Sequence, residues 1–173
     1  VHEKGSLLRK MPGDRWQQAA NLRLLLSYLM CQPGKKLLFM GAEFGQWEEW
    51  NCKESLHWEL LQQPSHQGIH RCTAALCRLV KQESALWSDD MHWSGFEWID
   101  FSDTDNSVVA YLRKDGGNEL LVVHHFTPQT ISNYFLKLPD VCLLEEVLNT
   151  DAQEFGGSGT LNPSPAILHD ERG

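Results

Sequence analysis

The stretch from residue 14 to residue 34 constrains the fold most. Asp14 and Gln17 have the spacing of a capping box, and Gln32-Pro33-Gly34 is a stop signal, so we predict a helix over residues 15–31. Its apolar residues point in nearly every direction: they are Ala19, Ala20, Leu22, Leu24, Leu25, Leu26 and Leu29. A helix that is apolar all round has to be covered on most sides. We therefore expect it to pack against more protein than this chain supplies.

A short apolar run follows this helix at once. Residues 36–40, Lys-Leu-Leu-Phe-Met, have the continuous apolar character of a strand buried on both faces of a parallel sheet. A helix followed by a buried strand indicates an α/β fold. Residues 65–87 repeat apolar positions with a period of 3.6, which predicts an amphipathic helix with Ser65 as its cap.

The character of the sequence changes near residue 90. Short β-rich runs now alternate with turn residues, and Lys114-Asp115-Gly116-Gly117-Asn118 predicts a tight hairpin. We predict an α/β unit over residues 1–89 and an all-β unit over residues 90–173. The expected strands cover residues 96–101, 107–113, 119–126, 132–138 and 141–148.

Charge and cysteine content narrow the classes of partner and site. The net charge is -8, from 15 basic and 23 acidic side chains with no basic run, which argues against nucleic acid and anionic membranes as partners. No apolar run approaches the roughly 20 residues that span a bilayer. The 5 cysteines lack a C-x-x-C pair, which argues against a disulfide framework and a zinc site. We expect reduced thiols, a cytoplasmic location and no bound metal.

The densest chemistry lies directly after the predicted strand 36–40. Residues 43–51 combine carboxylates, amides and indoles, and loops at this end of a parallel strand are where α/β enzymes build their sites. A sugar ring has C–H groups on its faces and hydroxyls on its rim, so tryptophans beside acids and amides suit a carbohydrate. The alternative is that the tryptophans pack the loop and the glutamates are solvated; composition leaves both open.

Two other groups predict structure rather than chemistry. Trp87, Trp93, Phe96 and Trp98 lie where the helical part meets the β part, which favours a domain-interface core. His124 and His125 face opposite sides of a regular strand and cannot share one metal, so one should be buried and the other exposed.

A series of motifs resembles bacterial glycogen branching enzymes, which belong to the α-amylase superfamily. The motifs keep the family's order over residues 1 to about 160, although His57 stands where the family usually has Asp. They cover residues 2–8, 10–14, 21–23, 35–41, 43–47, 49–51, 55–56, 96–100, 105–108, 126–128 and 146–151.

The resemblance implies a fold and a reaction. It implies the C-terminal end of a (β/α)8 barrel, with residues 36–40 as the eighth strand, followed by an incomplete C-terminal β-sandwich. Such enzymes cut an α-1,4-glucan through a glycosyl-enzyme intermediate and transfer the piece to a 6-hydroxyl, without a cofactor. Their two catalytic carboxylates and a third, substrate-binding Asp would all precede Val1. Glu43, Gln46, Trp47 and Trp50 would line the glucan groove.

The expected protein is therefore a fragment of a branching enzyme, inactive alone. Its partners would be α-1,4-glucan or glycogen and the remainder of the barrel. A glycan-binding or vestigial module without catalysis is the main alternative. A debranching or trehalose-forming relative is disfavoured by the branching-type run at residues 40–46.

Overall fold

The computed structural model describes residues 4–138 and 144–162. These ranges contain the helices α1 (Leu7–Lys10), α2 (Arg15–Cys31) and α3 (Pro64–Gln82). They also contain an antiparallel sheet of β1 (Phe96–Asp100), β2 (Val108–Lys114) and β3 (Glu119–His125), in that spatial order. Short 3₁₀ turns lie at Ala42–Phe44, Trp58–Gln62, Ser84–Leu86, Trp93–Gly95 and Gln153–Phe155.

Helix α2 confirms the predicted helix and its cap. The Asp14 carboxylate accepts a hydrogen bond from the Gln17 backbone N–H at 2.9 Å, and the Gln17 side-chain oxygen accepts one from the Asp14 N–H at 2.8 Å. Leu22 and Leu26 are fully buried in the helical core. Trp16 and Tyr28 remain exposed, so the described chain covers only part of the helix.

Residues 36–40 do not form the predicted strand in this structure. The segment has no strand hydrogen bonding, and Leu37 is 77% exposed, with Phe39 and Met40 more than half exposed. A β-strand needs a neighbouring strand to hydrogen-bond with, and the sheet of the described residues contains only β1, β2 and β3. Leu38 nevertheless packs against the helical core.

Helix α3 confirms the amphipathic prediction but not its ends. It begins at Pro64, whose fixed φ and missing N–H suit the first turn, and Ser65 is not its cap. It ends at Gln82, before the 3₁₀ turn at Ser84–Leu86. Ile69 and Cys72 are fully buried on its inner face, in the core shared with α2.

The sheet confirms the predicted hairpin. Lys114 pairs with Glu119, and between them the Asp115 carboxylate accepts from the backbone N–H groups of Gly117 and Asn118. The predicted strand over 132–138 is wrong, because residues 134–138 have no ladder partner. The predicted strand over 141–148 lies partly outside the described residues, and its described part forms only an isolated bridge at Leu144.

The aromatic group before and within β1 does not form the predicted interface core. Trp93 is 89% exposed and Trp87 is 53% exposed. Phe96 packs between Trp98 and Tyr111, with ring centroids 4.9 and 5.1 Å away, and Trp98 keeps almost half of its surface in solvent. The prediction is wrong because Trp87 and Trp93 lie in turns that no described element covers.

Two clusters form the core. One lies between α2 and α3, and the other joins Cys31 at the end of α2 to Leu86, Tyr111 and Val122. The histidines follow the expected alternation in part, since His124 is 2% exposed and His125 is half-buried. In the described ranges, no cluster of His, Cys, Asp or Glu is arranged to hold a metal ion.

The segment 144–162 packs on the helices and not on the sheet. Phe155 is buried in the core between α2 and α3, and the Arg23 Nε donates to the Thr150 carbonyl oxygen at 2.9 Å. The Trp16 indole N–H donates to the Gly156 carbonyl oxygen at 3.0 Å. The helical core thus includes residues from both sides of the sheet sequence.

Candidate functional site

The loop over residues 41–57 is anchored by a tight turn. Gly41 and Gly45 both have left-handed φ angles and flank the 3₁₀ turn Ala42–Phe44. Phe44 is fully buried, and its carbonyl oxygen lies 3.1 Å from Nδ1 of the buried His66. A Cβ on Gly45 would lie 2.8 Å from the Ile69 side chain, so the loop meets α3 at a glycine.

Gln46 holds the loop together from inside. It is only 5% exposed. Its side-chain oxygen accepts from the His57 backbone N–H at 3.0 Å, and its amide nitrogen donates to the Glu48 carbonyl oxygen at 3.1 Å. The amide group therefore satisfies two backbone groups of the loop, as buried polar side chains generally must.

Trp47 is half-buried between the loop and the helices. The Arg15 guanidinium carbon lies 3.5 Å from the indole centroid, a cation–π contact that covers one face of the ring. The Trp47 carbonyl accepts from the Ser6 hydroxyl at 2.8 Å, and its side chain packs against the helical core. Arg15 therefore makes one face of this indole unavailable to a ligand.

Glu43 and Trp50 lie on other parts of the loop. Glu43 is half-buried in the 3₁₀ turn. Trp50 is half-buried and packs edge-on against Phe39, with the centroids 5.3 Å apart. This contact continues the exposed apolar surface of residues 37–40.

A cavity of about 510 Å³ opens between the first turns of α2 and α3 and the loop. Trp47 lines it, but Glu43, Gln46 and Trp50 do not, so the structure brings only one of the four predicted residues to this cavity. The polar side chains that line it are Arg15, Glu48, His57, Gln63, Ser65 and His66.

Most of these polar residues are missed by local sequence patterns. Arg15 belongs to the first turn of α2, Ser65 and His66 to the first turn of α3, and His57 to the far end of the loop. They meet only because α2 packs against α3. No spacing in the sequence brings these residues together, so no local signal could have found them.

The charges of the cavity nearly cancel. Arg15 and Glu48 carry opposite formal charges, and Glu48 also pairs with Arg9 at 3.8 Å in an exposed contact. Exposed pairs of this kind contribute about 0–1 kcal/mol. The cavity therefore offers a wall of hydrogen-bonding groups without a strong net charge, which suits a neutral polar ligand.

Comparison with known proteins shows what this chain is similar to. Over 171 residues it is 56% identical to the 1,4-alpha-glucan branching enzyme GlgB of Protochlamydia amoebophila, an alignment that covers 99% of this chain and 24% of that protein. The chain is a homologue of the bacterial 1,4-alpha-glucan branching enzymes. Branching enzymes GlgB of Aquifex aeolicus and Chlamydia pneumoniae are 50% and 46% identical, over 94% and 99% of this chain and 26% and 24% of their own lengths.

The β part has a separate match. Residues 98–173 match the family model of the alpha amylase, C-terminal all-beta domain, in agreement with the predicted change from α/β to β structure. The chain spans about a quarter of the length of the branching enzymes it matches. Across residues 4–138 and 144–162, no helix has the length and apolar character needed to cross a membrane.

Proposed function

We propose that this chain is part of a cytosolic 1,4-α-glucan branching enzyme of glycogen biosynthesis. The complete enzyme transfers a segment of α-1,4-glucan to a 6-hydroxyl and so creates an α-1,6 branch. The observation that carries the proposal is 56% identity to a branching enzyme along 99% of the chain. The homologues span about four times this length, so the chain supplies one part of such an enzyme.

Residues 1–89 are the last part of a (β/α)8 barrel in this proposal, and residues 90–173 belong to a C-terminal β-sandwich. The exposed Leu37 and Phe39 support the barrel, because a segment with apolar residues on both sides needs neighbouring strands to cover it. The match over residues 98–173 supports the β domain. In the barrel, residues 36–40 become the eighth strand.

The chain contributes a wall of the glucan groove and not the reacting carboxylates. A retaining mechanism needs a nucleophile and an acid/base about 5 Å apart. In the described cavity Glu48 is the carboxylate of the lining, and it has no second carboxylate beside it there. Glu43, Trp47 and Trp50 contact glucan in this proposal, while Gln46 holds the loop in shape.

The single carboxylate also favours a second candidate, glycan binding without catalysis. Both functions predict that the chain contacts glucan. Only the branching function predicts that the chain restores branching when the rest of an enzyme is present. A chimaera separates them.

The test replaces the homologous segment of the Protochlamydia amoebophila enzyme with this chain. We expect the chimaera to lower the iodine-stained absorbance of amylose and to form α-1,6 linkages, at a rate within about tenfold of the parent. The parent with the segment deleted and the chain alone should both leave amylose unchanged. A folded, soluble chimaera that forms no α-1,6 linkages would contradict the branching proposal.

A further inference from the structure

The loop over residues 41–57 is attached to the residues before α1 by two hydrogen bonds. The Gly5 backbone N–H donates to a Glu49 carboxylate oxygen at 3.0 Å, and the Ser6 hydroxyl donates to the Trp47 carbonyl oxygen at 2.8 Å. These bonds span 44 and 41 residues of sequence, so they are tertiary contacts and not part of the turns within the loop. They hold the loop at a point beyond its 3₁₀ turn.

Glu49 makes the strongest contact at this point. A hydrogen bond to an ionised carboxylate is about twice as strong as one between neutral groups. Ser6 has two tasks, because its Oγ also accepts from the Arg9 backbone N–H at 3.2 Å and so caps α1. The Arg9 guanidinium lies 3.8 Å from the Glu48 carboxylate, but both side chains are more than half exposed and such pairs contribute little. Removal of the Glu49 acceptor is therefore the cleanest way to release the loop.

Glu49 is placed to orient its neighbours and not to react. It does not line the cavity of about 510 Å³, and its carboxylate accepts from the Gly5 N–H. Trp47 precedes it by two positions and Trp50 follows it directly. The edge-on partner of Trp50 is Phe39, which is itself more than half exposed and restrains the loop weakly. The contact with Gly5 thus fixes the backbone between the two indoles.

We propose that Glu49 is a positioning residue for glucan binding. Its carboxylate holds the Gly5 N–H and so fixes the backbone that carries Trp47 and Trp50. The inference rests on the proposed function, which places both indoles on glucan, and it adds a residue that does not touch the sugar. The acceptor oxygen matters and the charge does not, because a backbone N–H needs only an acceptor. A misplacement of about 1 Å in a substrate-binding group can cost roughly 100-fold in rate, so the loss of this bond should be measurable.

The test changes Glu49 in the chimaera with the Protochlamydia amoebophila enzyme. Glu49→Met keeps the length of the side chain without an acceptor oxygen, whereas Glu49→Gln keeps the oxygen and loses the charge. Glu54→Ala is the matched control, since Glu54 is an exposed carboxylate of the same loop and bonds the loop through its backbone N–H. Thermal melting establishes that each variant is folded, and Glu49→Ala is the second variant without an acceptor if Glu49→Met does not fold.

The expected effect falls on KM. Glu49→Met should raise the KM for amylose about fivefold or more and change kcat less than about twofold, because loss of uniform substrate binding changes KM alone. Glu49→Gln should restore KM to within about twofold of the unchanged chimaera, since its amide oxygen accepts the same N–H. Glu54→Ala should leave KM unchanged. Retardation in an amylose gel measures the same loss as weaker binding and does not require branching.

Three outcomes would overturn the inference. If Glu49→Gln is as defective as Glu49→Met, the charge acts directly and Glu49 is not a positioning residue. If Glu49→Met lowers the melting temperature but leaves KM and gel retardation unchanged, the contact is only structural. If kcat falls while KM is unchanged, the residue serves the reaction and not the binding of glucan.

Failure of the inference is distinguishable from failure of the proposed function. Branching with a KM that Glu49→Met does not change refutes the inference alone. A chimaera that binds amylose without branching refutes the proposed function alone, because gel retardation of the variants still decides the role of Glu49. A chimaera that neither binds amylose nor branches refutes both.

Discussion

The guanidinium of Arg113 donates from Nη1 to the carbonyl oxygen of Cys31, at 2.8 Å and across 82 residues of sequence. The same fully buried side chain donates from Nε to the Gly95 carbonyl and pairs with the Asp90 carboxylate. One side chain in β2 therefore satisfies the end of α2 and the turn before β1 at once. It joins the helical part to the sheet through charge-assisted hydrogen bonds.

Replacement of Arg113 should lower the stability of the whole chain. Arg113→Met keeps the volume but leaves the Asp90 carboxylate and two carbonyl oxygens unpartnered, so we expect a loss of about 3–5 kcal/mol in the free energy of unfolding. Urea denaturation measures it. Arg71→Met, at an exposed position of α3, is the control and should change stability by about 0.5 kcal/mol or less. Equal effects of the two variants would mean that the buried network contributes nothing.

His124 should make the sheet sensitive to acid. Burial lowers the pKa of His124 from 6.5 to about 4, and its ring lies among Tyr28, Tyr111 and Phe126. The folded-state pKa is below the unfolded value, so protonation favours unfolding. The contribution of neutral His124 to the free energy of unfolding is complete above pH 6.5 and is lost as the pH falls toward 4. It amounts to about 3 kcal/mol.

The measurement compares urea unfolding at pH 7.5 and 4.5 in the wild type and in His124→Phe. The variant keeps an aromatic ring against the same neighbours but has no proton to gain. Its stability should fall less between the two pH values than that of the wild type, although carboxylates contribute equally to both. If the two proteins lose the same stability, His124 is not the acid-sensitive group.

Gly68 should be essential for the packing of segment 144–162 on α3. A Cβ at this position would lie 2.3 Å from the Phe155 carbonyl oxygen. Gly68→Ala gains about 0.5–1 kcal/mol of helix preference but loses about 1–3 kcal/mol through the clash, so the clash should win. Limited proteolysis should then cut the variant near residue 155 sooner than the wild type. Gly117→Ala is the control, because a Cβ there would have its nearest neighbouring atom 3.7 Å away. Equally fast cutting of this control would show that the effect does not depend on packing against α3.

The exposed apolar residues of segment 36–40 should make the isolated chain bind hydrophobic dyes and aggregate. The double change Leu37→Gln and Phe39→Gln should reduce both, with a stability change of about 0.5 kcal/mol or less, because both side chains already face solvent. Dye fluorescence and light scattering measure the effect. Leu38→Gln is the contrasting variant. Because Leu38 packs on the helical core, its replacement should lower stability without reducing dye binding. Unchanged fluorescence in the double variant would show that the dye binds to a different apolar surface.

The elements that the sequence predicts well are those whose signals are local. The capping box of Asp14 and Gln17, the period of α3 and the Asp115 turn each depend on residues a few positions apart, and the structure contains all three. The failures depend on distant partners. Leu37 and Phe39 have the composition of a buried strand, but only a neighbouring strand could make them one.

The candidate site also combines features with local sequence signals and features that depend on distant partners. Composition identified the loop over residues 43–51 as its densest chemistry, and Trp47 does line the cavity. Arg15, Ser65 and His66 line it from the first turns of two helices about 50 residues apart, which only tertiary packing brings together. The resemblance predicts Gln46 as a groove residue, which stays a prediction, but composition could not show that its amide bonds backbone groups of the loop.

Because Phe155 is buried between α2 and α3, the helical core cannot be completed until residue 155 has been synthesised. A ribosome adds about 5–20 residues per second, so Phe155 appears roughly 4–15 s after α3 has been completed. During that interval the two helices lack a side chain of their own core, and Arg23 lacks the carbonyl of Thr150 that it will hold. The nascent helices are then a natural substrate for chaperones, and slow translation between residues 82 and 155 would lengthen their exposure.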